Sequence, residues 1–245
     1  MAETMALRRI EDPVVAAAPT GIRIRTSLRP TKDEAESLTA IGQYLGSVYR
    51  SELAERIGLG RLDQKAYAEW RAERKRALTA VSSSRWAGAI TRTVEDQYRL
   101  GMRSLAAHVR DLRAAVQVLE ARCALSPGEL APVDHDEAGQ RWGRPRRRRG
   151  YRSAGERFVK TRRLAALRER LDAAESAFAA GHPSITVGGK RLWRKRNHLD
   201  TSEMTEQEWR NHWDSSRMFF TADGESGKPG GNETIRVDAD GQLRI

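Results

Sequence analysis

Apolar and polar positions recur along this chain in different periods, and each period predicts its own element. From Gly21 to Pro30 the period is two, with Ile22, Ile24, Thr26 and Leu28 on one face and Arg23, Arg25 and Ser27 on the other, which predicts a strand. Thr31 and Glu34 then form a capping-box pattern, in which a threonine oxygen and a glutamate satisfy each other's orphan backbone donors. The helix so started carries Leu38, Ile41, Leu45, Val48, Leu53 and Ile57 at helical steps and ends near Gly58 and Gly60. A second, more polar helix is expected from about Asp63 to Ala80. Residues 1–20, with mixed charges, Pro13, Pro19 and an alanine run, predict a disordered leader.

The clearest pattern runs from about Ser83 to Cys123. Tyr98, Leu105, Leu112 and Leu119 lie seven apart, and so do Met102, Val109, Val116 and Cys123. Such a heptad seam favours a supercoiled pairing with another helix. A partner is present in the same chain, from about Ala154 to Ala180, with Phe158, Leu164, Leu167, Leu171, Ala174 and Phe178. The two predict a long antiparallel helical hairpin with an arginine-rich loop at its tip, and the competing arrangement is a coiled coil between two chains. In the hairpin Cys123 is a packed core residue.

After His182–Pro183 short elements return. Ile185, Val187, Gly188–Gly189 and Leu192 predict a tight hairpin, and Thr205 with Glu208 a further capping box ahead of Trp209, Trp213 and Met218. Phe219–Phe220–Thr221 is expected as a short strand and residues 223–232 as a glycine-rich loop. A last hairpin uses Ile235 and Val237, the turn Asp238–Gly241, then Leu243 and Ile245. The fold class expected is α+β, mostly α.

Charge changes this picture. Between Arg141 and Arg170 stand thirteen basic residues and two acids, Glu156 and Glu169, a local net charge of +11 that equals the charge of the whole chain. A run as dense as Arg146–Arg147–Arg148–Arg149 repels itself unless solvent or a polyanion offsets it, and a phosphate backbone is its natural partner. Of the 44 basic residues 37 are Arg, which suits planar, bidentate contacts to phosphate and base edges. One cysteine excludes an internal disulfide framework and a zinc site of paired cysteines. No apolar run reaches the length of a membrane span, and the first residues lack the core of a signal peptide. A soluble bacterial protein of the cytoplasm, associated with the nucleoid, is expected, with no membrane partner.

Two segments carry candidate binding chemistry. Lys190, Arg191, Trp193, Arg194, Lys195 and Arg196 interleave an indole with cations, a design that neutralises phosphates while a base stacks, as in single-stranded RNA recognition. Trp193 serves equally well as a core residue. Ser83, Ser84, Arg85 and Trp86 stand where the long helix begins, and the free amides of a helix start suit a DNA phosphate; ordinary capping explains the serines as well. Gly224 to Lys228 fails as a phosphate loop, because its glycines are too close and Pro229 stands where a Ser or Thr is needed. The five histidines lack ligand spacing, and no carboxylate set suggests catalysis, so neither cofactor nor metal is expected.

Four stretches together resemble one family: RIRTSLRPT, KRALTAVSSSRWAGAITR, ITVGGKRLWRKRNHL and FFTADGESGKPGGNETIRV. They are similar to the actinobacterial branch of TnpB-type proteins, transposon-encoded RNA-guided nucleases related to type V CRISPR effectors. The resemblance spans about residues 20 to 245, and Gly188 to Arg196 is its most specific piece. It implies a wedge domain, a small and here incomplete β-barrel, interrupted by a helical recognition lobe. Residues 21–30 would be the first wedge strand, 31–182 the recognition domain with its basic loop at 141–152, and 183–245 the rest of the wedge. It implies guide RNA and target DNA as partners, with base pairing reading the sequence. RNA would be held by Arg146 to Arg149 and by the 190–196 segment, DNA by Ser83, Ser84, Arg85 and Trp86. The family's RuvC-like nuclease and zinc module have no counterpart here, so the resemblance implies a truncated, non-cleaving half that could work with a separate nuclease domain. The rival is a helical coiled-coil interaction protein whose basic tip touches RNA or DNA non-specifically.

Overall fold

The computed structural model of the chain describes residues 27–131, 149–222, 234–238 and 240–245. It is mostly helical: α1 spans Lys32–Gly58, α2 Gln64–Val81, α3 Ser84–Ala124, α4 Ala154–Ala180, α5 Lys190–Lys195 and α6 Glu206–Ser215. β1 (Arg236–Val237) and β2 (Leu243–Arg244) pair antiparallel, Val237 opposite Leu243, and are the one sheet among the described residues.

Local chemistry sets the helix starts. Thr31 Oγ1 accepts from the Glu34 amide, and the Glu34 carboxylate accepts from the Thr31 amide at 2.7 Å. Asp63 accepts from the Ala66 amide at 2.8 Å to open α2, and Thr205 with Glu208 repeats the box ahead of α6. At the far end of α4, Gly181 adopts φ +77° and its neighbour His182 donates to Ala177 O at 2.9 Å, closing the helix with a left-handed residue.

Two apolar clusters divide the long helix α3 between them. Its first half packs Trp86, Ala87, Ile90 and Val94 against Leu45, Tyr49 and Leu53 of α1, Trp70 and Leu78 of α2, and Phe219. Ile90 and Val94 are wholly buried, each contributing about 1.5–3 kcal/mol by leaving water. Its second half packs Val109, Leu112 and Val116 against Leu164, Leu167 and Ala174 of α4. The two helices run antiparallel: Arg113 pairs with Glu175, Glu120 with Arg168, and Arg157 Nε donates to Cys123 O, so positions descend α4 as they climb α3. Cys123 itself is only half-buried.

Between the clusters lies a buried polar seam. Arg56 Nε donates to Glu95 at 2.9 Å, its Nη1 donates to Gly60 O at 2.8 Å, and its guanidinium lies 3.7 Å over the Tyr98 ring. The Tyr98 hydroxyl lies 2.9 Å from Gly60 O and 3.0 Å from Gly181 O, joining the α1–α2 connection to the end of α4.

Several local expectations are corrected. Gly188 and Gly189 do take positive φ (94° and 93°), but they launch α5 instead of turning a hairpin. The six residues that follow, KRLWRK, contain no β-branched side chain and are mostly good helix formers. Phe219–Phe220–Thr221 is not a strand: the Phe219 amide donates to the helical carbonyl of Gly42 at 3.0 Å, where α1 is notched by Gly42 and Gly46. A Cβ on Gly46 would stand 2.2 Å from Arg217 O, so the crossing demands glycine. Phe158 is 64% exposed, because stepping back seven from Leu164 and Leu167 lands on Arg157 and Lys160 instead. Residues 27–30 have no regular structure; with β2 and the start of α1 they line an open groove of about 780 Å³, while 21–26 of the expected strand lie outside the described residues.

Candidate nucleic-acid interface

The positive φ at Gly188 and Gly189 aims α5 across the face of α6. Trp209 Nε1 donates to Leu192 O at 2.8 Å and fixes the two short helices to each other. Three indoles then fall in a row. Trp209 and Trp213 stack at 5.6 Å with 12° between planes, and Trp193 follows at 5.3 Å and 39° from Trp213. Trp209 is buried, Trp213 half-buried and Trp193 44% exposed, so the row runs from core to solvent.

Cations surround this row. Arg196 lies 5.4 Å over Trp193 and Arg217 4.9 Å over Trp213. Lys190, Arg191, Arg194 and Arg196 are exposed and Lys195 half-buried. None of these five pairs with a carboxylate among the described residues. An exposed indole set among unpaired cations offers a stacking plane beside phosphate-neutralising charge.

Other expected site residues fall elsewhere. Trp86 is corrected from a binding to a core residue: it is 7% exposed, packed edge-on to Phe220 at 6.1 Å, and offers no face to a base. Ser83 is an ordinary cap, its Oγ accepting from the Trp86 amide at 3.3 Å, while Ser84 is exposed and Arg85 half-buried. Arg146, Arg147 and Arg148 lie outside the described residues. Arg149 is exposed and bridges Leu130; its carbonyl accepts from Arg122 Nε at 3.1 Å, and Arg122 in turn lies 4.2 Å over Tyr151. Leu130 and Arg149 are therefore tied to each other at the end of the α3–α4 pair. Arg152, Arg162 and Arg163 continue the exposed charge beyond Arg149.

Trp209 and Trp213 were read from the sequence only as helix residues, and Arg217 and Arg50 not at all, so the place of all four in the site escaped it. Trp209 and Trp213 carry a legible signal, since they lie four apart on one face of α6; Arg217 falls just beyond the end of that helix. Arg50 carries none, because only the fold brings α1 against residue 217.

Among the described residues no group of three or more His, Cys, Asp or Glu could hold a metal ion, and no helix is long and apolar enough to cross a membrane. No protein-family model, curated protein or solved structure matches the chain.

Proposed function

We propose that this chain binds nucleic acid, as the wedge and recognition portion of a TnpB-like RNA-guided nuclease, and has no cleavage activity of its own. The α3–α4 pair is then a recognition lobe and the segments around it an incomplete wedge barrel. Guide RNA and target DNA are the partners, with a separate nuclease domain as a possible third. The observation that supports binding best is the exposed Trp193 on its indole row, ringed by cations that lack carboxylate partners among the described residues. Phosphate supplies the missing counter-charge, and a base stacks on the exposed Trp193 ring in place of the Arg196 guanidinium.

The rival, a coiled-coil interaction protein, needs a seam free to pair with another chain. Val109, Leu112 and Val116 are instead covered by α4 of the same chain, which weighs against it.

Purification at moderate salt, followed by extraction and sequencing of the nucleic acid that accompanies the protein, tests the proposal. One discrete RNA is expected. Heterogeneous RNA, or none, would favour the interaction-protein reading, for which light scattering should then give a mass that rises with concentration.

A further inference from the structure

We propose that Arg50 and Arg217 form a phosphate subsite beside Trp213, the middle member of the indole row, so that the surface takes a single unpaired strand and not a duplex. This rests on the reading of the surface as a nucleic-acid interface and names the form of nucleic acid it takes.

The two arginines are brought together by the crossing at Gly46. Arg50 Nη1 donates to Arg217 O at 2.9 Å, one turn of α1 beyond the notch. Burial and then the like charge of Arg217 hold the Arg50 guanidinium below its usual pKa, with Asp214 opposing them. The Arg217 guanidinium lies against Trp213, and its Nε is buried with no hydrogen-bond partner. A buried guanidinium N–H without an acceptor is costly, and so are two cations in partial burial. Nε itself is closed to solvent, so an anion would meet the pair through the terminal guanidinium nitrogens, where it offsets the like charge. Phosphate fits this need, since planar guanidinium groups grip it through paired N–H donors.

The geometry beside the pair says what the phosphate is attached to. Trp213 is flanked by Trp209 and Trp193, and Trp193 ends the row 44% exposed. A base can complete the row only if its own face is free. In a duplex both faces of each base are already stacked, whereas an unpaired nucleotide offers one. The sugar–phosphate of a single strand would then follow the row inward to Arg217 and Arg50.

The test compares a short single-stranded oligouridylate with its duplex with oligoadenylate, by fluorescence anisotropy across a salt series, with circular-dichroism melting of every variant. Trp193→Ala should weaken single-strand binding about tenfold at an unchanged salt slope and leave duplex binding alone. Arg50→Gln with Arg217→Gln should reduce the slope by about 0.7, the loss of one single-strand phosphate contact. If the double variant does not fold, Arg50→Gln alone carries the same slope test. A wild-type protein that binds the oligonucleotide with a slope indifferent to these arginines overturns the subsite and leaves the nucleic-acid reading intact. A wild-type protein that prefers the duplex overturns the single-strand assignment. Failure to bind either probe at low salt, with no nucleic acid accompanying the purified protein, removes both.

Discussion

Arg56 and Glu95 form an ion pair 2.9 Å apart with side chains 4% and 9% exposed, one from α1 and one from α3. Few acceptors remain unmet around it: Glu95 also takes a hydrogen bond from Arg99 at 2.8 Å, and Arg56 donates to Gly60 O. The pair therefore fixes the register of α1 against α3 where the two apolar clusters meet.

Removing Glu95 strands the buried Arg56 charge, whereas removing Arg56 leaves Glu95 still paired with Arg99. Glu95→Gln alone should cost about 3–5 kcal/mol in urea unfolding, and Arg56→Met less. The double variant Arg56→Met with Glu95→Met should cost less than the sum, because no charge is left unpaired.

Gly181 and Gly58 should respond oppositely to alanine. At Gly181 a Cβ meets Arg61 N at 2.7 Å and the Tyr98 hydroxyl at 2.9 Å on a backbone already at φ +77°. Gly181→Ala should destabilise by more than about 1 kcal/mol. Gly58, a helix residue with open space around its Cβ position, should gain about 0.4–1 kcal/mol from the same change. Thermal melts of the two variants check the pair.

Two tryptophans should separate stability from binding. Trp86→Ala removes a buried indole and should cost about 3–5 kcal/mol. Trp193→Ala, at a half-open position, should leave the melting temperature nearly unchanged.

The capping boxes give a pH dependence of defined sign. Hydrogen bonds from Thr31 to Glu34, first from its backbone and then from its hydroxyl, lower the Glu34 pKa, and Thr205 does the same for Glu208. A carboxylate with a lowered folded pKa stabilises fully above its unfolded value, and that stability is lost as pH falls through the folded pKa. Thr31→Ala with Thr205→Ala should therefore lower the melting temperature at neutral pH, and the gap to wild type should narrow on acidification below the ordinary glutamate range.

Helix starts and the apolar seam were legible because they are local. Thr31, Asp63, Ser83, Ser153 and Thr205 each cap through their own side chains, and the heptad from Tyr98 to Cys123 needs only a neighbour of matching period. What escaped depends on distant approach. The Phe219 amide bonds to a helix carbonyl because Gly42 and Gly46 let it near, which no strand pattern encodes. Gly188–Gly189 signals positive φ but not whether a strand or a helix follows. Trp193 could equally have been core or surface from sequence, whereas Trp86 looked like a site and packs inside, since aromatic residues beside cations read alike in both settings. Of the cationic site, the α5 segment was legible as charge, and Arg50 with Arg217 only as geometry.

α3 has 41 residues and so is about 60 Å long, yet the apolar face of its second half is covered, among the described residues, by α4. The pair is mechanically a lever rooted at Tyr98. With an arm of about 39 Å, a tilt of only ten degrees at the root would sweep its outer end by about 7 Å. That is more than one helical turn, so a small repacking near the buried ion pair becomes a large displacement of the far end of the helix pair.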